Sequence, residues 1–238
     1  MAPSRERAKA IIMAGEVFTG EQKLTDASKT FDPDVELSVR NDPNPYVSRG
    51  GLKLSHALER FSISVEGLVC IDVGSSTGGF TDCLLQAGAK HVFAVDVGYG
   101  QLDYKLRTHP QVSVLERTNA RHLEWEKLKE VSPLAADIRL ATMDVSFINA
   151  EKIIIPLSET IQSLRTWVIL FKPQFEVGKK AIGKKGLVRD AGAVVHALAS
   201  FESALTSHGL RLVHRVEPSP LAGKKSGNLE YLLHYEKS

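Results

Sequence analysis

No apolar run in this 238-residue sequence reaches the roughly 18 residues that a membrane-spanning helix needs. The amino-terminal stretch MAPSRERAKAI also lacks the apolar core of a secretion signal, so a cytoplasmic protein is expected. Cysteine is scarce. Cys70 and Cys83 are the only two, both in apolar surroundings, which predicts buried structural thiols rather than a disulfide, a metal site or a nucleophile. The eight histidines fall at no metal-ligand spacing, and no metal is expected. An excess of one charge is missing as well: 30 Lys+Arg against 28 Asp+Glu leave +2, too little for composition alone to imply a polyanionic partner. Aromatic residues are few, and Trp125, Trp167 and Tyr235 read as packing residues rather than base-stacking ones.

With 43% hydrophobic and 24% charged residues, the chain has the composition of a globular protein with one large domain and a small appendage. The appendage comes first. SRERAKAIIMAG offers Ser4 as a helix cap, Ala8, Ile11 and Ile12 at helical spacing, and Gly15 as a stop. Short strand-like pieces follow in EVFTGEQKL and DVELSV, with turns at Thr19-Gly20 and Asp32-Pro33. This predicts an α+β unit over residues 1–42, and the proline- and glycine-rich RNDPNPYVSRGG predicts a linker over 43–50. From 51 to 238, apolar β-branched runs alternate with amphipathic ones. LVCIDVG, HVFAVDVG, VSVLERT, RLATMDVSF and TWVILFKP suit strands buried on both faces, so the expectation is a doubly wound α/β sheet. LRLVHRVEP and EYLLHYEK have no helix between them and suggest an antiparallel hairpin at the sheet's end.

The glycine-rich turn DVGSSTGGF follows the first of these strands, where open α/β sheets bind ligands. It has no Gly-Lys-Ser/Thr ending for a nucleoside triphosphate, and its glycines at 74, 78 and 79 depart from the dinucleotide fingerprint. Asp72 puts a carboxylate near the strand end, unfavourable beside a pyrophosphate and favourable beside an amino group or a sulfonium. Asp96, at the tip of the second strand, suits a ribose hydroxyl pair. Together with MDVSF at the fourth strand, these features favour S-adenosylmethionine over a nicotinamide dinucleotide; the alternative gives Gly78 and Gly79 to close helix packing alone.

Four polar residues stand where apolar ones are the default: Lys53 in SRGGLKL, Asp144 in TMDVSF, Lys172 in ILFKPQF and Glu230 in GNLEYLL. The last three sit at strand ends and share one rim if the sheet is doubly wound. Lys172 follows VILF and precedes proline, which predicts a partly desolvated amine able to serve as a base.

Through YVSRGGLKL, IDVGSSTGGFTDCLLQAGAKHVFAVDVGYGQL, ERTNAR, DVSFI, KPQFEVGK, GLVRD and SGNLEYLL, nearly the whole chain resembles the haemolysin A (TlyA) group of FtsJ-like ribosomal RNA 2′-O-methyltransferases. The resemblance implies a Rossmann-like, S-adenosylmethionine-dependent methyltransferase sheet acting on ribosomal RNA or ribosomal subunits, at the ribose of cytidine. It implies a catalytic set of Lys53, Asp144, Lys172 and Glu230. It also implies cofactor contacts from Asp72, Gly74, Ser76, Gly78, Gly79, Phe80 and Asp96, with Asn119 beside the adenine. Under this assignment Lys172 takes the proton of the 2′-hydroxyl, Lys53 beside it steadies the developing alkoxide, and Asp144 and Glu230 orient the two amines. The amino-terminal unit resembles the latter part of an S4-like RNA-binding domain. Two basic runs flank the rim, with Lys179, Lys180, Lys184, Lys185 and Arg189 in one and Lys224 and Lys225 in the other; they are read as phosphate contacts. Two other classes of function stand beside this one: a membrane-active haemolysin, and an inactive RNA-binding or ribosome-assembly factor.

Overall fold

The computed structural model describes residues 5–39, 44–146, 148–178, 181–183, 186–216 and 228–238. Helix α1 (Arg5–Met13) gives way to Gly15, whose φ of +71° is accessible to glycine at little cost. Ser4, expected as its cap, lies outside the described residues. Strands β1 (Val17–Thr19) and β2 (Gln22–Leu24) pair antiparallel around Gly20, and β3 (Ser38–Val39) pairs with β1 on the other side. Ile11, Val17 and Leu24 form a small core of their own, with Ile12 and Phe31 packed against it.

The stretch read as a linker is partly docked. The Val47 N–H donates to Asp82 Oδ2 at 2.8 Å, Gln86 Nε2 donates to the Pro45 carbonyl at 3.1 Å, and Tyr46 packs against the second core cluster. Helix α2 (Arg49–Arg60) begins inside that stretch, because Ser48 Oγ accepts from the Gly50 N–H at 3.3 Å and caps it. Gly51, Leu54, Ala57 and Leu58 make its buried stripe, and Lys53 lies beside that stripe.

Next come β4 (Val69–Val73), α3 (Gly79–Gln86), β5 (His91–Val95), α4 (Tyr104–Arg107), β6 (Val112–Leu115), α5 (Trp125–Val131), β7 (Ile138–Met143), α6 (Glu151–Thr160), β8 (Thr166–Phe171), α7 (Pro173–Glu176), α8 (Ala191–Thr206), β9 (Leu210–Val216) and β10 (Tyr231–Lys237). Seven strands form one sheet in the order β6-β5-β4-β7-β8-β10-β9. The five runs read as buried parallel strands are β4 to β8, and they pair in parallel. Alternate residues of β4 feed two cores: Val69, Ile71 and Val73 join the α6 and α8 side, and Cys70 joins the α2 and α3 side.

The C-terminal pair is antiparallel and occupies one end of the sheet, as expected, but the later strand of the pair is the inner one. Strand β10 inserts between β8 and β9 and pairs antiparallel with both. Tyr231 to Tyr235 are buried without interruption, which suits an inner strand, whereas β9 carries Arg211 and Arg215 and takes the edge.

Candidate active site

Strand register brings three of the four singled-out polar residues to one rim. Asp144 follows the end of β7, Lys172 follows the end of the neighbouring β8, and Glu230 precedes β10, whose Tyr231 lies opposite Phe171. Helix α2 adds the fourth. Lys53 Nζ pairs with the Glu230 carboxylate, and Lys172 Nζ pairs with Asp144 Oδ1 at 2.5 Å and donates to Ser146 Oγ at 3.2 Å. Each amine therefore has its own carboxylate. The four side chains are between 12% and 24% exposed, so the pairs are shielded from bulk water yet reachable from it.

The glycine-rich turn abuts this rim. The Asp144 N–H donates to the Val73 carbonyl at 3.0 Å, and a Cβ at Gly74 would meet the Asp144 carbonyl oxygen and Val145 Cγ1. Gly74 (φ +82°), Ser76 (φ +48°) and Gly78 (φ +96°) all hold left-handed backbone within five residues. Across the turn, both carboxylate oxygens of Asp96 accept main-chain N–H groups, from Ser76 at 2.8 Å and from Gly98 at 2.6 Å. The Thr118 N–H donates to the Asp96 carbonyl, which brings Asn119 alongside. Asn119 Oδ1 caps the turn at Ala120–His122 by accepting from the Arg121 N–H at 3.1 Å, so only its amide nitrogen remains uncommitted by that contact.

Four residues of this turn are placed by the core around it. Asp72 does not present its carboxylate to a cleft. It is wholly buried, its oxygens accept from Thr81 Oγ1 at 2.7 Å and Thr142 Oγ1 at 2.9 Å, and burial pushes it up to about 6, with the nearby Asp144 adding to the rise. The Phe80 ring belongs to the core under α2, 3% exposed, beside Leu54 and Cys83. Gly78 and Gly79 serve close packing: a Cβ would strike Leu102 and Leu106 at the first, and Ser48 and the Gly51 nitrogen at the second. Both cysteines are buried, and burial pushes each thiol up to about 12, as inert core groups require.

A methyltransferase family model, "FtsJ-like methyltransferase", matches residues 46–237. The chain belongs to the FtsJ-like methyltransferase family. Among its relatives, the 16S/23S rRNA (cytidine-2′-O)-methyltransferase TlyA of Mycobacterium tuberculosis is 41% identical over 234 residues, 98% of this chain and 84% of the relative. Hemolysin A of Brachyspira hyodysenteriae is 42% identical over 233 residues, 98% and 93% of the two chains. A solved structure from Streptococcus thermophilus that carries a hemolysin name superposes with a TM-score of 0.78 at 38% identity, covering 99% of this chain and 84% of that one.

In this FtsJ-like methyltransferase several residues at the site went unread in the sequence. Ser146 stands in the quoted MDVSF but draws attention only once Lys172 is seen to donate to it. Thr142 lies opposite Asp72 in the β4–β7 register, and Thr81 faces it from α3; neither spacing has a sequence signature. Glu116 ties the far side of the Asp96 loop, accepting from the Gly100 N–H at 2.9 Å and pairing with Arg107 at 2.8 Å, while Arg117 lies 4.1 Å over the Tyr99 ring. Of the basic residues read as phosphate contacts, Arg189 is described and exposed; Lys179, Lys180, Lys184, Lys185, Lys224 and Lys225 lie outside the described residues. Among the described residues, no helix is long and apolar enough to cross a membrane.

Proposed function

We propose that this chain is an S-adenosylmethionine-dependent ribosomal RNA 2′-O-methyltransferase, with Lys53, Asp144, Lys172 and Glu230 as its catalytic set. The observation that carries the reading is the pairing of two amines with two carboxylates on one rim, against the turn that separates β4 from α3. The names of the relatives supply the substrate class, the cytidine ribose of ribosomal RNA.

The residues present fit the cofactor. Asp96 retains acceptor capacity on both oxygens beyond its two main-chain contacts, which suits a vicinal ribose diol, and Ser76 and Thr77 leave an exposed polar lip. Gly74 keeps the turn pressed against the Asp144 backbone. Asn119 faces the adenine end in this reading. Asp72 acts from within, fixing the turn through two threonine hydroxyls.

When bound, S-adenosylmethionine supplies a methyl group activated by its sulfonium sulfur. The chain supplies the rest. A ribose hydroxyl is a poor nucleophile at neutral pH, so Lys172 Nζ in its unprotonated form accepts the hydroxyl proton as the oxygen attacks. Asp144 and Ser146 aim that nitrogen, and the Asp144 carboxylate stabilises the ammonium that results. Lys53, held by Glu230, places a positive charge toward the developing alkoxide. The antiparallel unit of residues 5–39 is read as an S4-like RNA-binding piece, the basic runs as phosphate contacts and the cytoplasm as the compartment where the substrate is met.

The test is transfer of labelled methyl groups from S-adenosylmethionine to ribosomal RNA and subunits, with mapping of the modified nucleotide. Label on a cytidine 2′-oxygen is the expected result. Absence of transfer to any subunit or free ribosomal RNA overturns the reading.

A further inference from the structure

Helix α6 lacks a cap of its own. Its N-cap residue is Ala150, which has no side-chain acceptor, and the Ala150 N–H is buried with the residue, 4% exposed. The buried Ala150 N–H instead finds its acceptor on another element: Glu176 Oε1, at the end of α7, accepts from it at 2.9 Å. The two segments joined this way are the ones that carry the reacting pair. Asp144 and Ser146 lie in the loop that leads into α6, and Lys172 is the N-cap residue of α7.

We infer that Glu176 is a positioning residue for methyl transfer: it clamps the Asp144–Ala150 loop to the Lys172–Glu176 segment, forming a second rung four residues from the Lys172–Asp144 rung. This rests on the proposed assignment of Lys172 and Asp144 to catalysis. The bridge is short in sequence at both ends, with three residues between Lys172 and Glu176 and five between Asp144 and Ala150. In-line transfer is sensitive to displacements of about 1 Å, which cost on the order of 100-fold in rate.

The rung also responds to protons. Burial is the largest influence on Glu176 and pushes it up to about 7; the Ala150 N–H bond pulls it down. The charged groups that bear on it are Glu151, which raises it, and Lys152, which lowers it, both in the first turn of α6. Helix α8, also packed on α7, carries only an exposed His196 and Glu202, the latter engaged by Arg215 at 2.7 Å. Glu176 is thus neutral below about pH 7 and a carboxylate above it, and the carboxylate is the better partner for an N–H at a helix start. The clamp tightens as pH rises through about 7.

Two variants and two readouts test this. Glu176→Gln keeps an acceptor of the same shape but fixes it neutral; Glu176→Ala removes it. Single-turnover transfer at saturating RNA and S-adenosylmethionine is followed from pH 6 to 8.5, and the wild-type rate is divided by that of Glu176→Gln at each pH, so that pH effects common to both enzymes cancel. The ratio is expected to rise several-fold with a midpoint near 7, and Glu176→Ala to lose on the order of 10-fold in kcat with KM for the donor within about twofold. A flat ratio, or an unchanged kcat in Glu176→Ala, overturns the inference. Amide exchange over residues 144–150 separates it from the functional reading: faster exchange in Glu176→Ala at unchanged melting temperature supports the clamp even if the wild type transfers no methyl to ribosomal RNA, and unchanged exchange overturns it even if the wild type is fully active.

Discussion

Lys172 and Asp72 show what environment does to a side chain in this protein. Lys172 sits at the end of a buried strand with a carboxylate at 2.5 Å and a hydroxyl at 3.2 Å, an arrangement that fixes a nitrogen in space. If that nitrogen is the base, Lys172→Ala should lower single-turnover transfer by about 10²- to 10⁴-fold while S-adenosylmethionine affinity, measured by calorimetry, stays within about twofold. Arginine distinguishes the roles, because it keeps the charge but does not deprotonate at working pH. Lys172→Arg is expected to be nearly as inactive as alanine; substantial activity would make Lys172 an electrostatic stabiliser. Asp72 makes its prediction in stability. Its ordinary value is 3.8 and burial raises it to about 6 in the fold, so between these pH values the native state holds a proton the unfolded chain has released. Stability from this group is therefore full below about 3.8 and is lost as pH rises through about 6. At about 1.4 kcal/mol per pH unit, the loss is roughly 3 kcal/mol. Asp72→Asn, which stays neutral, should flatten urea-melt stability across that window; an unchanged slope would mean that Asp72 ionises in the fold as freely as in the unfolded chain.

Helix α2 links core packing to the rim at the scale of elements. Leu54 is fully buried beneath it, one residue along from Lys53. Leu54→Ala should cost about 2–5 kcal/mol in denaturant unfolding and should slow methyl transfer as well, because the helix that aims Lys53 at Glu230 loses its seat. A variant equally stable to wild type would show that the site repacks. How far these elements were legible depended on the physics each obeys. Strands buried on both faces read as continuous apolar runs, so β4 to β8 were visible as sequence, and Lys172 and Asp144 stood out as charges at their ends. The position of β10 was not visible: burial pattern says that Tyr231 to Tyr235 are inside but not which neighbours flank them. The Lys53–Glu230 pair spans 177 positions and exists only through that insertion. The surroundings of Asp72 were not legible for a related reason, since its hydroxyl partners come from α3 and β7 and no local spacing announces them.

The whole molecule carries nearly balanced charge, +2 over 238 residues, so attraction to RNA must come from where the charges lie. If the lysines at 179, 180, 184 and 185 contact phosphates, replacing all four by glutamine should weaken ribosomal RNA binding and reduce the slope of log affinity against log salt by about 3, with S-adenosylmethionine affinity unchanged. An unaltered slope would return them to a solvated surface.

The insertion of β10 has a consequence for how the protein is made. Synthesis releases β8 and β9 before the strand that belongs between them, so a nascent chain that has reached residue 216 has no β10 to complete either pairing and exposes sheet edges of the kind that invite aggregation. Glu230 emerges at the same late moment as β10. A partly translated chain that lacks β10 therefore has neither a complete sheet nor a partner for Lys53, and the site assembles only once β10 has left the ribosome and inserted between β8 and β9.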